Sequence, residues 1–392
     1  MGVERKVRMS RIKIIADDKI PFLKGALEPF ADIHYIPGNH ITPETVKDAD
    51  AIITRTRTRC NEKLLKGSKV KFIASATIGY DHIDTGYCDS AGIKWTNAPG
   101  CNSASVRQYI VSALLYLAVE KNMDPGKATL GVIGVGNVGT KVCRIAEILG
   151  MRVLKNDPPR ARMEGGKEFA ELSELLTQSD IVTLHVPLNR TGIDKTLHMT
   201  GHAFIHQMKE GSVLINTSRG EVVDEQVIKQ AVARGKFSAV VLDVFENEPA
   251  IDLELLDVLT LATPHIAGYS ADGKANGTMM AVQAVSRFFN LGNDDWRPSD
   301  VPVPKQTTLS PDTSGTQLYE MLWEIYKQTY DITRDDKQLR KNPLLFEDLR
   351  EKYPLRREPE SYTVKIIKGG REITDRLERL GFSILKDTIP KQ

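Results

Sequence analysis

Short apolar runs recur along most of the chain, and the stretches between them read as helix. Arg11-Ile-Lys-Ile-Ile-Ala opens as a strand, followed by Ile33-His-Tyr-Ile, Ala51-Ile-Ile-Thr and Lys71-Phe-Ile-Ala-Ser-Ala. Strands alternating with helical sequence predict a small parallel α/β unit. Residues 103–122 then read as one long helix, with Val106, Tyr109, Ile110, Ala113, Leu114 and Leu117 on a single apolar stripe. Ser103 is placed to cap it, and Asp124-Pro-Gly to break it.

A second series begins at Ala128. Its strands read Thr129-Leu-Gly-Val-Ile, Arg152-Val-Leu, Ile181-Val-Thr-Leu, Val213-Leu-Ile-Asn, Ala239-Val-Val-Leu and Leu259-Thr-Leu-Ala. Continuous apolar strands separated by helices predict a sheet covered on both faces. A helical stretch over 272–290 should lead back to the first unit, which would make that unit discontinuous. Residues 294–314, rich in Pro, Asp, Ser and Thr, read as a linker. Beyond it Leu318, Met321, Leu322, Ile325 and Tyr326 form a helical stripe, Tyr362-Thr-Val-Lys-Ile-Ile a strand, and 372–380 a short amphipathic helix. That is little core for independent stability, so this third unit should pack on something larger. No internal repeat or low-complexity tract is visible.

Composition narrows the class. A chain of 392 residues exceeds the ~100–200 of one domain, so two or three are expected. A net charge of +2 provides no field for nucleic acid or membrane. No apolar run approaches the ~20 residues needed to span a bilayer. The start, Met1-Gly-Val-Glu-Arg-Lys, has no apolar core of a secretory signal, and Lys6 stands where myristoylation favours Ser or Thr. Met9 is an alternative start. Cys60, Cys88, Cys101 and Cys143 show no C-x-x-C spacing. That argues against a metal site or disulfide framework and suits a reducing, cytoplasmic setting.

The candidate chemistry begins at Gly134-Val-Gly136-Asn137-Val138-Gly139, between a strand and a helix. The first glycine permits a tight turn, the second admits a pyrophosphate, and the third lets helix and strand pack closely. The pyrophosphate would sit on the helix N-terminus. Asp157 ends the next strand, where a carboxylate can bind the adenine-ribose hydroxyls and disfavour a 2′-phosphate. That predicts NAD over NADP, with nearby Arg160 as the contrary sign.

Three further residues lie on separate strand ends: Arg219 in Asn216-Thr-Ser-Arg-Gly, Glu248 in Glu246-Asn-Glu-Pro, and His265 in Thr263-Pro-His-Ile-Ala-Gly. A 2-hydroxy acid carries a carboxylate beside its reacting carbon, and an arginine fork can hold it bidentately. His265 can take the hydroxyl proton on oxidation and return it on reduction. Glu248 would orient the ring and favour the imidazolium. Asp243, ending the preceding strand, can face the nicotinamide or serve a loop. Ligands of such sheets bind beyond the strand carboxyl ends, where all four fall.

These motifs closely resemble the D-isomer-specific 2-hydroxyacid dehydrogenases. Gly134, Gly136 and Gly139 with Asp157, then Ser218-Arg219-Gly220, Asp243-Val-Phe with Glu248-Pro249, and His265 follow that family's order. The resemblance implies NAD as cofactor, the roles above for Arg219, Glu248 and His265, and a homodimer. It is strongest to a branch that takes a small phosphorylated hydroxy acid and adds a C-terminal dimerisation domain. Carrying it are Ala76-Thr-Ile-Gly-Tyr-Asp-His-Ile-Asp, Ala98-Pro-Gly-Cys-Asn, Asn156-Asp-Pro-Pro-Arg-Ala, His265-Ile-Ala-Gly-Tyr-Ser, Phe346-Glu-Asp-Leu-Arg-Glu-Lys-Tyr and Leu355-Arg-Arg-Glu. The implied fold is α/β: a Rossmann-type NAD-binding domain (104–277) inserted in a flavodoxin-like substrate domain (9–103 and 278–300), plus a small α+β C-terminal dimerisation domain (315–392). By the same likeness Thr56, Thr77 and Tyr269 match substrate contacts. Asn137, Val138, Asp157, Val186, Thr217, Asp243 and Gly268, with adjacent Ser218, match cofactor contacts. Gln108 departs from the pattern, since relatives commonly place a Glu before Tyr109.

The substrate phosphate needs a basic pocket, and Thr54-Arg55-Thr56-Arg57-Thr58-Arg59 is the candidate run. In an extended strand, alternation would put arginines and threonines on opposite faces. Arg55 and Thr56 could then share a ligand only if the strand ends there. Arg55 is favoured because it adjoins Thr56; Arg57 and Arg59 equally suit a solvated edge. Two other readings stand beside this one: a dehydrogenase for another small acid such as 3-phosphoglycerate or glyoxylate, and a dinucleotide-sensing binding protein. The C-terminal unit opposes the first, and an intact Arg219/Glu248/His265 set the second.

Overall fold

The computed structural model describes residues 11–311, 317–366 and 371–385. The alternative starts Met1 and Met9, and residues 312–314 of the linker, lie outside them. The described residues form two compact units, one within 11–102 and 271–302, the other within 103–270 and 303–385.

The first unit carries five parallel strands: β1 (Lys13–Asp17), β2 (Asp32–Ile36), β3 (Ala51–Thr54), β4 (Phe72–Ser75) and β5 (Lys94–Thr96). Their order is β2-β1-β3-β4-β5, the flavodoxin-like arrangement. Strand alternation explains why both faces are covered. Ile14 and Ala16 enter one core with Val282 and Val285 of the helix Ala271–Phe289, while Ile15 enters the other with Ile52 and Ile73. That helix belongs wholly to the first unit. The boundaries therefore fall at 102/103 and 270/271, where the sequence placed them at 103/104 and 277/278.

The second unit holds a six-stranded parallel sheet: β6 (Thr129–Ile133), β7 (Arg152–Asn156), β8 (Ile181–Leu184), β9 (Ser212–Asn216), β10 (Phe237–Leu242) and β11 (Leu261–Ala262). The order is β11-β10-β9-β8-β6-β7, so the order of winding reverses between β6 and β8. This is the crevice in which such sheets take a nucleotide. The C-terminal residues contribute a small parallel sheet of β12 (Thr308–Leu309), β13 (Thr363–Lys365) and β14 (Ser383–Leu385), with the helices Leu318–Thr329, Ile332–Lys341, Phe346–Glu351 and Arg371–Leu380.

The described C-terminal residues share their core with the large sheet. Leu322, Trp323, Tyr326 and Phe382 share one cluster with Leu130, Val132 and Val241 of the large sheet and with the helix Ser103–Glu120. That helix differs from the single stripe its spacing suggests. Ser105, Gln108, Val111, Ser112 and Leu115 are buried as well, because the C-terminal helices cover its second face. At roughly 1.5–3 kcal/mol for each large apolar side chain, such shared burial binds the C-terminal residues to the sheet as one core.

Candidate active site

The glycine turn follows β6, and each glycine has a separate reason. Gly134 adopts φ +85°, and a side chain there would strike the His185 backbone. A Cβ on Gly139 would fall on the Gly134 carbonyl oxygen, so turn and helix could not close. Gly136 meets nothing within 4 Å; its cradle is open space that a side chain would fill. The helix Asn137–Ile148 begins there with no side-chain cap. An open cradle at an uncapped helix N-terminus fits a dinucleotide pyrophosphate, held on the first-turn amides of Asn137, Val138 and Gly139. Gly139→Ala is predicted to cost about 1–3 kcal/mol as overpacking, measured by denaturant unfolding. An unchanged midpoint would show that the turn relaxes freely.

Asp157 Oδ2 accepts the Val135 amide at 2.8 Å and Oδ1 the Arg160 amide at 3.1 Å. The carboxylate thus ties the turn to the end of β7 and retains lone pairs for ribose hydroxyls. Arg160 is occupied: Nε and Nη2 reach both Glu164 oxygens at 2.7 and 2.8 Å, and Nη1 donates to the Val135 carbonyl at 2.6 Å. Its guanidinium is thus engaged by Glu164 and the Val135 carbonyl. His185, which the sequence reading passed over, lies beside the turn. Its ring nitrogens pair with Thr183 at 3.0 Å and Thr217 at 3.4 Å. Burial drives this imidazole down to about 3, so it is a neutral prop for Thr217. Val186 follows it directly, and its side chain is one of the atoms that approach the Gly134 turn.

Arg219 leaves β9 on a turn stapled by Asn216. The Asn216 Oδ1 accepts the Ser218 amide (3.0 Å) and hydroxyl (2.7 Å), and its Nδ2 donates to the Arg219 carbonyl (2.8 Å). A Cβ on Gly220 would overlap the Phe245 backbone, so the Arg219 turn lies against the loop leaving β10. Glu248 closes that loop on itself: Oε1 accepts the Phe245 amide at 2.9 Å, and Oε2 meets His265 Nδ1 at 2.7 Å. Burial pushes the Glu248 carboxyl up. The imidazole's charge and hydrogen bond, the Phe245 amide and the nearby Arg350 outweigh it, leaving the carboxyl below its ordinary value. With Nδ1 engaged, Nε2 is the nitrogen left to face a substrate.

His265 itself sits at φ +55°, a left-handed conformation uncommon for a residue with a side chain. Asp243 is what holds it there. This buried carboxylate accepts the Thr263 hydroxyl (2.6 Å) and the Ile266 amide (2.8 Å) on one oxygen, and the Ala267 amide (2.9 Å) on the other. Burial raises it to about 6, against the pull of His265 and these donors. Of its two readings, the loop-serving one is directly visible; Gly268 lies in the same loop. A second support lies behind the Glu248 loop. Glu225 and Glu246 accept each other's backbone amides at 2.8 and 3.0 Å, joining the helix after Arg219 to the Glu248 loop.

Burial, with Glu246 and Asp252 nearby, lifts Glu225 from 4.5 to about 7. Below pH 4.5 it is protonated folded and unfolded alike. Between 4.5 and 7 the unfolded chain releases its proton first, so stability falls as pH rises through the folded value. Glu225→Gln is predicted to be stabilising by about 3 kcal/mol at pH 8 relative to pH 4. Equal effects at both pH values, in chemical denaturation, would refute it.

In the first unit β3 ends at Thr54, so strand alternation does not govern Arg55 and Thr56. Arg55 Nη1 donates to the Lys19 carbonyl at 3.0 Å, Thr56 is exposed, and Thr58 is buried on the Gly38 carbonyl at 2.9 Å. Thr77, past β4, pairs with Ser75 at 2.8 Å and the Gly79 carbonyl at 3.0 Å.

Comparison with known proteins gives the family. The model of the D-isomer specific 2-hydroxyacid dehydrogenase NAD binding domain matches residues 118–267, which defines the class: an NAD-dependent dehydrogenase. A model described only as a domain of unknown function matches 301–381. An erythronate-4-phosphate dehydrogenase of Bacteroides fragilis is 51% identical over 91% of this chain and 100% of its own. One from Pseudomonas putida is 38% identical over 94% and 98%. The chain belongs to the erythronate-4-phosphate dehydrogenase family. Among solved structures, a D-lactate dehydrogenase of Aquifex aeolicus bound to NAD and lactic acid is 30% identical, covering 72% of this chain and 96% of its own at a TM-score of 0.61. An NAD-bound 3-phosphoglycerate dehydrogenase of Entamoeba histolytica is 26% identical, covering 74% and 98% at 0.62. Among the described residues no helix is long and apolar enough to cross a membrane.

Proposed function

We propose that the protein oxidises 4-phospho-D-erythronate at C2 to (R)-3-hydroxy-2-oxo-4-phosphooxybutanoate, a step toward pyridoxine 5′-phosphate. The observation that carries the chemistry is the His265–Glu248 pair at 2.7 Å on a loop beyond the sheet. Arg219 holds the substrate carboxylate and polarises the C2 oxygen. His265 Nε2 removes the C2 hydroxyl proton, and Glu248 keeps the ring aimed and balances the imidazolium that forms. NAD, when bound, accepts the C2 hydride. Gly134, Gly136, Asn137, Val138, Gly139, Asp157, Val186, Thr217, Ser218, Asp243 and Gly268 form its proposed seat. Tyr269, Thr56 and Thr77 are proposed substrate contacts on the strength of the resemblance, and Arg55 because it adjoins Thr56. The cell compartment is the cytoplasm, and the C-terminal unit is the proposed seam of a homodimer.

The test is NADH formation from 4-phospho-D-erythronate, with 3-phosphoglycerate run alongside. Turnover of the first and little of the second is expected. Preference for 3-phosphoglycerate would retain the class and remove the substrate. Sedimentation of the full chain tests the dimer; a monomer at micromolar concentration would sink it.

A further inference from the structure

The loop 265–270 is gripped from two sides. Asp243 binds its amides from within the sheet. From the other side, the C-terminal residues bind its outward groups. Arg350 Nη2 donates to the Tyr269 hydroxyl at 3.2 Å, and its guanidinium lies 5.8 Å from the Tyr269 ring centre. Arg356 Nη2 donates to the Ala267 carbonyl at 2.5 Å and the Ser105 carbonyl at 3.3 Å. Glu358 Oε1 accepts the Ser270 hydroxyl at 2.8 Å and the Ser105 hydroxyl at 2.9 Å. The Glu248 loop is backed in the same way: Phe346 packs edge-on against Phe245 at 6.1 Å.

We propose that the C-terminal unit is a working part of the active site, with Arg350 the positioning residue that fixes Tyr269 and with Arg356 and Glu358 clamping the His265 loop. Burying ions is expensive, several kcal/mol each even after relaxation. Arg356 is 4% exposed and Glu358 7%, yet their hydrogen bonds go to the catalytic loop and to the helix under it. Hydrophobic side chains of similar volume would hold two domains together at lower cost. What they cannot do is fix the carbonyl of Ala267 and the hydroxyl of Ser270 in register. Arg350 is likewise divided, with Nη1 on Glu347 at 3.1 Å and Nη2 on Tyr269. A planar fork suits two such acceptors in fixed directions. Gln108 belongs to the same seam. Its Nε2 donates to the Arg357 carbonyl at 3.1 Å, a bond that a carboxylate at this position could not make.

This proposal rests on the roles assigned above to His265 and Tyr269. Its test is a double-mutant cycle of Arg350→Gln and Tyr269→Phe on the full chain, with Arg350→Lys as the conservative variant. We expect Arg350→Gln to lower kcat/KM for 4-phospho-D-erythronate by on the order of 10- to 100-fold, through one or two charge-assisted hydrogen bonds. NAD affinity and Tm should stay near wild type. Tyr269→Phe should add little on top of Arg350→Gln, because both remove the same bond, and Arg350→Lys should recover part of the loss. Additive effects, or wild-type kcat/KM in Arg350→Gln, would overturn the proposal. Amide exchange across 265–270 provides a readout independent of substrate. Glu358→Gln should accelerate it, and unchanged protection would count against the clamp. Were 4-phospho-D-erythronate not turned over by wild type, the functional reading would fail while the exchange result still judged the clamp.

Discussion

Replacing His265 with asparagine should lower kcat by on the order of 10²–10⁴, the range of lost acid/base catalysis. Asparagine is the informative choice because His265 stands at φ +55°. Asn tolerates that left-handed backbone better than Ala, so the loop keeps its shape while the proton acceptor goes. NAD affinity should persist, since the glycine turn and Asp157 are untouched. The decisive measurement is single-turnover NADH formation beside NAD binding by fluorescence. A variant that retains more than about a tenth of wild-type kcat would show that the proton leaves by another route. Glu248→Gln should lose less, because a neutral partner still orients Nδ1 but no longer balances the imidazolium.

The second large effect is expected at Arg219→Lys. The backbone there is extended, φ −141° and ψ 145°, so lysine fits without strain. Charge is conserved; the fork is not. Bidentate contact with a carboxylate becomes a single contact from a flexible stem. Loss of a charge-assisted hydrogen bond at about 1.5–3 kcal/mol predicts a fall in kcat/KM of roughly 10- to 100-fold. Arg219→Gln, which removes the cation as well, should fall further. The split between KM and kcat reports how far the arginine serves binding and how far it serves the developing C2 carbonyl. Equal kcat/KM for Lys and Arg would exclude a bidentate clamp.

Much of this was legible in the residues. The glycine turn, the buried strands and the three candidate residues at strand ends are local patterns, because period and turn chemistry act within a few residues. What escaped depends on partners far away in the chain. Asp243 holds the loop of His265 some 20 residues on, a bond that exists only once β10 and β11 are adjacent. Glu225 and Glu246 are joined by the same logic across β9 and β10. The Ser103–Glu120 helix looked one-sided since its second face is covered by residues beyond 318, and small or polar members of that face, Ser105, Gln108 and Ser112, carry no hydrophobic signal. Arg55 and Thr56 posed a conflict that only the end of β3 at Thr54 could remove.

The two-sided burial of that helix bears on what truncation would leave behind. A helix whose second face carries buried Val111 and Leu115 cannot meet water there without exposing them. Loss of the C-terminal residues would leave an adhesive surface on a half-finished core. The C-terminal residues are thereby compulsory to this core: a chain cut short of them would carry an apolar helix face with nothing to cover it.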